Sequence, residues 1–160
     1  MHSISPTSDA PTAALQGCTC ARLRRLTRRI TAVYDRELAA VGLRVTQYSL
    51  LGALQRDAGA QGLPVADLAE RMDMDRTTLT RNLQPLTAQG WVELVADPHD
   101  RRVRRVRITA AGAAAFAAAR PHWRRAQQTV NRTLGAHSVV ALHRWLDEVT
   151  PAFRPDGDTE

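Results

Sequence analysis

Hydrophobic residues recur along this chain in two rhythms, and the change from one to the other divides it. Leu23, Leu26, Ile30, Val33 and Leu38 stand three to five positions apart, the spacing of one helix face, and predict a long amphipathic helix over about 15–40 that ends near Gly42. A second helix is expected from Thr46, read as its cap, to about Arg56, with Leu50, Leu51 and Leu54 on its apolar side. "DAGAQGLP" then supplies the turn-forming residues that break it. A short helix, "VADLAERM" (65–72), and the turn "DMD" lead to "RTTLTRNLQPLTAQG", where Asp75 is a good N-cap and Gly90 a good stop. Helix, tight turn, helix is the pattern obtained.

The rhythm next shifts to period two. "WVELVA" (91–96) and "RVRRVRIT" (102–109) alternate as strands do, and the Asp- and Pro-bearing "DPHDR" between them predicts a β-hairpin. Thr109 can cap a long helix closed by Gly135, with a kink expected at Pro121, where the ring removes a backbone bond and crowds the preceding turn. The last helix, about 138–153, places Val139, Leu142, Leu146, Val149 and Phe153 three and four positions apart. Within the helix after Asp75, Pro85 should cost about 3 kcal/mol in regular geometry and predicts a bend or an early end.

The fold class expected is therefore mainly α with one small β-hairpin. At 160 residues the chain has room for one domain, read as 15–153, between polar tails at 1–14 and 154–160 that are expected to be disordered. The apolar stripes of 15–40 and 110–153 lie far from the central unit at 44–109, and one copy would have difficulty covering them all. Pairing with a second copy resolves this. The N-terminal stretch lacks the cationic start and apolar run of a secretory signal, and no run of apolar residues is long enough to span a membrane. A soluble, cytoplasmic protein is expected.

Charge sharpens the picture only through its placement. The net charge is +6, and all 22 basic residues other than histidine are arginine. A GC-rich genome would produce the same bias, so the total argues little. Its distribution argues more. "DPHDRRVRRVRIT" (97–109) holds five arginines, 101, 102, 104, 105 and 107, where a solvated edge strand needs one or two charges to prevent aggregation. The excess calls for an anionic partner. On the helix after Asp75, steps of about 100° put Leu79, Leu83 and Leu86 on one face. Thr77, Arg81, Gln84 and Ala88 fall opposite, with Arg76, Thr78 and Thr80 beside them. Small hydroxyls, an arginine and an amide are groups that hydrogen-bond base edges and phosphates. The hairpin tip can present Arg101 and Arg102 to a minor groove, while strand arginines such as Arg104 meet phosphates. Asp100 is expected to accept hydrogen bonds from the Arg102 side chain and aim it.

Residues 65–109, with Asp-x-Arg at Asp100 and Arg102 followed by "RITAAG", closely resemble the winged helix-turn-helix of the MarR family of bacterial transcription regulators. Helix order extends the likeness over about 15–153. The resemblance implies a homodimer, interlocked through its first and last two helices, that binds double-stranded DNA at a pseudo-palindromic operator. The helix from Asp75 would enter the major groove and Arg102 the minor groove. It also implies release by a small aromatic or anionic effector held between the dimerisation helices and the DNA-binding lobe, or by oxidation of a cysteine.

Candidates for an effector pocket are Arg22, Tyr34, Tyr48, His122 and Trp123, although most such residues serve packing. Redox candidates are Cys18 and Cys20, near Arg22, Arg24, Arg25 and a helix start, surroundings that favour a thiolate; the alternative is two plain structural cysteines. No cofactor or metal is expected. On a helix Cys18 and Cys20 point about 200° apart, and His2, His99, His122, His137 and His143 have no metal-ligand spacing. Hydrolase, phosphate-loop and zinc-protease motifs are absent from the sequence. Two other readings use the same arginines: a helical protein contacting an acidic partner or a membrane surface, and a non-specific architectural DNA binder.

Overall fold

The computed structural model describes residues 17–59 and 61–153; the tails expected at 1–14 and 154–160 lie outside them. α1 (Thr19–Leu38) passes through a 3-10 turn, Ala39–Val41, to Gly42, and α2 spans Val45–Asp57. After β1 (Leu63–Pro64) come α3 (Val65–Arg71), α4 (Arg76–Ala88), β2 (Val92–Ala96), β3 (Arg104–Ile108), α5 (Ala110–Leu134) and α6 (Ala136–Val149), with a closing 3-10 turn at Thr150–Phe153. The predicted order of elements is present, with one addition. β1 pairs antiparallel with β3, so the hairpin is part of a three-stranded sheet in the order β1-β3-β2. Two residues inside a glycine-rich break carry no period that could reveal a strand.

Local chemistry sets the helix ends. Asp75 accepts from the Thr78 amide at 2.8 Å and caps α4, and Thr109 accepts from the Gly112 amide at 3.0 Å and caps α5. The start of α2 differs from expectation: Thr46 lies inside the helix, and the first amide, Val45, donates to the Asp35 carboxylate of α1 at 2.8 Å. The Gln47 side chain accepts from the Arg44 amide at 2.9 Å, a local contact, whereas the part supplied by Asp35 from another helix leaves no mark in the adjacent sequence. Gly112 explains the glycine of "RITAAG": a Cβ there would strike the backbone of Trp91, whose carbonyl also accepts from the Thr109 amide at 3.0 Å.

Both internal prolines are carried within helices. α4 does not end early, since the Gln89 amide donates to the Pro85 carbonyl at 3.1 Å and the helix reaches Ala88. Leu83 and Leu86, 3% and 1% exposed, each contribute about 1.5–3 kcal/mol by burial, enough to offset the proline. Likewise α5 continues through Pro121, held by the fully buried Ala119 and Ala126 on either side.

The core gathers Leu38, Leu50, Leu51, Leu54, Leu68, Leu79, Leu86, Val92 and Val106. It lies among α2, α3, α4, the sheet and the start of α5. By contrast, Leu38 is the one buried residue of α1, and α6 has none. Leu23, Leu26, Val140, Trp145, Leu146 and Phe153 are exposed on these helices and the turn after them.

Candidate nucleic-acid interface

α4 lies over the core on Leu79, Leu83 and Leu86, which turns Arg76, Thr77, Thr78, Thr80, Arg81 and Gln84 outward, all exposed. Five of these, all but Thr78, line a shallow surface hollow of about 330 Å³. Two hydroxyls on this face already donate inward: Thr78 Oγ1 to the Asp75 carboxylate at 2.6 Å, and Thr80 Oγ1 to the Arg76 carbonyl at 2.8 Å. They meet an outside partner as acceptors, whereas Arg76, Arg81 and Gln84 remain as donors. The hydrogen bonds from Thr78 hold the Asp75 carboxyl below its ordinary value of 3.8. A carboxylate lowered on folding adds stability that is full above its unfolded value and is lost as pH falls through the folded one. Asp75→Asn is therefore expected to flatten the acid limb of an unfolding-versus-pH curve below about pH 4; an unchanged limb would assign the acid sensitivity elsewhere.

The five arginines of the hairpin separate into two groups. Arg101 and Arg102 are exposed at the tip, and Arg104 is exposed with one long bond, 3.3 Å, to the Leu94 carbonyl. Arg105 and Arg107 serve the fold. Arg107 pairs with Glu93 across the strands at 2.8 Å, and Arg105 pairs with Asp97 at 2.6 Å while donating to the carbonyls of Gln61 and Gly62. Two of the five charges thus have internal partners, which alternation alone could not reveal. Asp100 acts differently from expectation: its carboxylate accepts from the Arg102 backbone amide at 2.9 Å, so it shapes the turn and does not aim the guanidinium. One residue between the two leaves the amide nearer than the end of the arginine side chain.

Among the pocket candidates, Tyr34, Tyr48 and Trp123 do come together. Tyr48 stacks on Phe116 and Trp123 with ring centroids 4.8 and 5.8 Å apart, and Trp123 lies 6.4 Å from Tyr34. The Tyr34 hydroxyl donates to Gln127 at 2.6 Å. His122 instead sets Nδ1 against the Glu37 carbonyl and the Arg125 guanidinium. Arg22 sits fifteen residues up α1 from Glu37, about 22 Å along the helix axis. The cations beside the cluster are Arg120 and Arg124, missed from sequence although their i, i+4 spacing on α5 places them on one face. Burial raises the Tyr48 phenol, while the charge and hydrogen bond of Arg120 and the charge of Arg124 pull it back. At the other end, Cys18 is the N-cap of α1, its sulfur accepting from the Ala21 amide at 3.4 Å, and both thiols are free and exposed.

The chain that carries this helix and hairpin is similar to proteins of known function. Residues 41–103 match the model of the MarR family. NicR, an HTH-type transcriptional repressor of Pseudomonas putida, is 32% identical over 120 residues, 75% of this chain and 74% of NicR. The chain belongs to the MarR family.

As a family member it is a DNA-binding transcription regulator of the winged helix-turn-helix class. The transcriptional activatory protein BadR of Rhodopseudomonas palustris is 35% identical over 91 residues, 57% of this chain; the match spans about half of BadR, 52% of its length. Among solved structures, the M. tuberculosis regulator MosR in complex with DNA superposes with a TM-score of 0.71 at 31% identity, covering 86% of this chain and all of that one. In a fold of that class the hairpin β2–β3 corresponds to the wing and α3–α4 to the helix-turn-helix. No helix among the described residues is long and apolar enough to cross a membrane.

Proposed function

We propose that this MarR-family chain is a homodimeric, cytoplasmic repressor that binds a pseudo-palindromic operator and leaves it when an effector is bound, and that it has no catalytic role. The observation that carries the reading is the pairing of two uncommitted surfaces. The outer face of α4 has no large apolar residue to obstruct a groove, and Arg101 and Arg102 at the wing tip have no acid partner among the described residues. α4 enters the major groove with Arg76, Thr77, Thr78, Thr80, Arg81 and Gln84. Arg102 enters the minor groove, and Arg101 and Arg104 meet phosphates. The exposed apolar residues of α1 and α6 supply the seam between protomers.

For the effector, Tyr48 with Arg120 and Arg124 beside it offers an aromatic wall and two positive charges, suited to a small aromatic anion. An oxidant acting on the exposed Cys18 or Cys20 is the second route. Peroxide that still releases the operator from a Cys18→Ser, Cys20→Ser double variant would remove that route.

Selection of bound fragments from random duplex DNA should return an inverted repeat with half-site centres about one helical turn apart. Arg102→Ala should weaken operator binding by about 1–3 kcal/mol at fixed salt with the dimer intact. Equal binding to all duplexes would favour an architectural DNA binder or an acidic partner instead.

A further inference from the structure

We propose that Asp97 and Arg105 form a latch that fastens the wing to the loop ahead of α3 and so fixes where Arg101 and Arg102 stand relative to α4. The inference rests on the DNA-binding role given to the wing and makes both latch residues positioning groups, neither of which touches DNA.

The bonds form one continuous path. The Arg105 guanidinium donates through Nε to the Gln61 carbonyl at 3.1 Å, through Nη2 to the Gly62 carbonyl at 2.7 Å and through Nη1 to Asp97 Oδ2 at 2.6 Å. The other carboxylate oxygen of Asp97 accepts from the amides of His99 at 2.8 Å and Asp100 at 3.1 Å, the turn that carries the wing tip. One guanidinium therefore holds the loop, and one carboxylate joins it to the tip. The two side chains are only 18% and 12% exposed, against 42% and 44% for the Arg107–Glu93 pair. Gly62 makes this possible. Its φ is +78°, and any Cβ would collide with the Val106 carbonyl of β3, so only glycine brings its own carbonyl within reach of Arg105.

The wing needs such a fastening. Strand β1 pairs with β3 only at Leu63–Val106 and Pro64–Arg105, and past Ala96–Arg104 the hairpin has no cross-strand pair beyond the Asp97 amide to the Val103 carbonyl. A two-stranded ribbon by itself is marginal in water and twists freely. A tip held in place before it meets DNA loses less freedom on docking.

The test turns on a sign. Asp97→Asn keeps an oxygen for the turn amides but removes the partner of Arg105 and one negative charge. Were Asp97 merely an acid near DNA, its removal would strengthen binding by the full-length dimer. The latch predicts that operator binding weakens about three- to tenfold, less than the loss of a direct contact, while binding to a random duplex holds or rises. Arg105→Gln should weaken operator binding similarly and leave the salt slope of random-duplex binding unchanged; a phosphate contact would lower that slope by about one. The double variant should be no worse than either single one. In the free protein, amide exchange over residues 99–103 should rise in both variants with the melting transition retained, a readout that needs no DNA.

Operator binding kept or tightened in Asp97→Asn, while Arg102→Ala weakens it, overturns the latch alone. A wild-type protein without duplex preference overturns the role of the wing and the latch with it. Should either variant fail to fold, the other decides, with Asp97→Ser as a further partner-deleting change.

Discussion

Aspartates in place of Val140 and Trp145 are expected to break the proposed dimer and lower operator affinity roughly a thousandfold, to the level of random duplex. Val140 and Trp145 are 67% and 48% exposed on a helix with no buried residue, so the substitutions leave the core of one protomer intact. At a seam between protomers, each charge must be desolvated without a partner, at a cost of several kcal/mol per ion. A single protomer presents one recognition helix and one wing, half of what an inverted repeat requires. Sedimentation and fluorescence anisotropy at one salt concentration would show both effects. A dimer that survives the double substitution would place the seam on another face.

Leu79→Ala is the second large effect. Leu79 is fully buried beneath the recognition helix, facing the core opposite the outward residues. Removal of its side chain should cost about 2–5 kcal/mol, the sum of lost transfer energy and the cavity left behind. Leu79→Met, which conserves volume, should cost less than about 1.5 kcal/mol. Urea midpoints at one protein concentration give both values, because a dimer's stability depends on concentration. Operator affinity should fall with the alanine variant and hold with the methionine one. The reverse order would mean that packing under α4 does not position its outer face.

Much of the interface is legible in the order of residues. Asp75 and Thr109 were readable as caps because the amides they accept from lie three residues on. The outward set on α4 follows from helical period and the leucines opposite. Arg101 and Arg102 follow from a turn sequence between two alternating runs. Each is a relation within one element or across one turn, where covalent geometry already limits the outcome.

Relations across the chain were not legible. Five arginines in the wing look alike in sequence, yet Arg105 is claimed by carbonyls 43 and 44 residues away. Tyr34 finds Gln127 across 93 residues, and His122 meets Glu37 across 85. These pairings divided the pocket candidates, keeping Tyr34, Tyr48 and Trp123 together, sending His122 to α1 and leaving Arg22 far off. The cap of α2 came from Asp35, outside its own helix.

The sequence by itself determined where the helices and the wing hairpin lie, which face of α4 is polar, and that the charge concentrates on the wing. Hydrophobic period and short-range hydrogen bonds suffice for that, since both act over a few residues. Tertiary structure alone decided which arginines remain free, how β1 joins the sheet, and what Asp97 and Asp100 hold. A charged side chain of several ångströms takes the best partner that folding brings within reach, and that partner is set by how the elements close on one core.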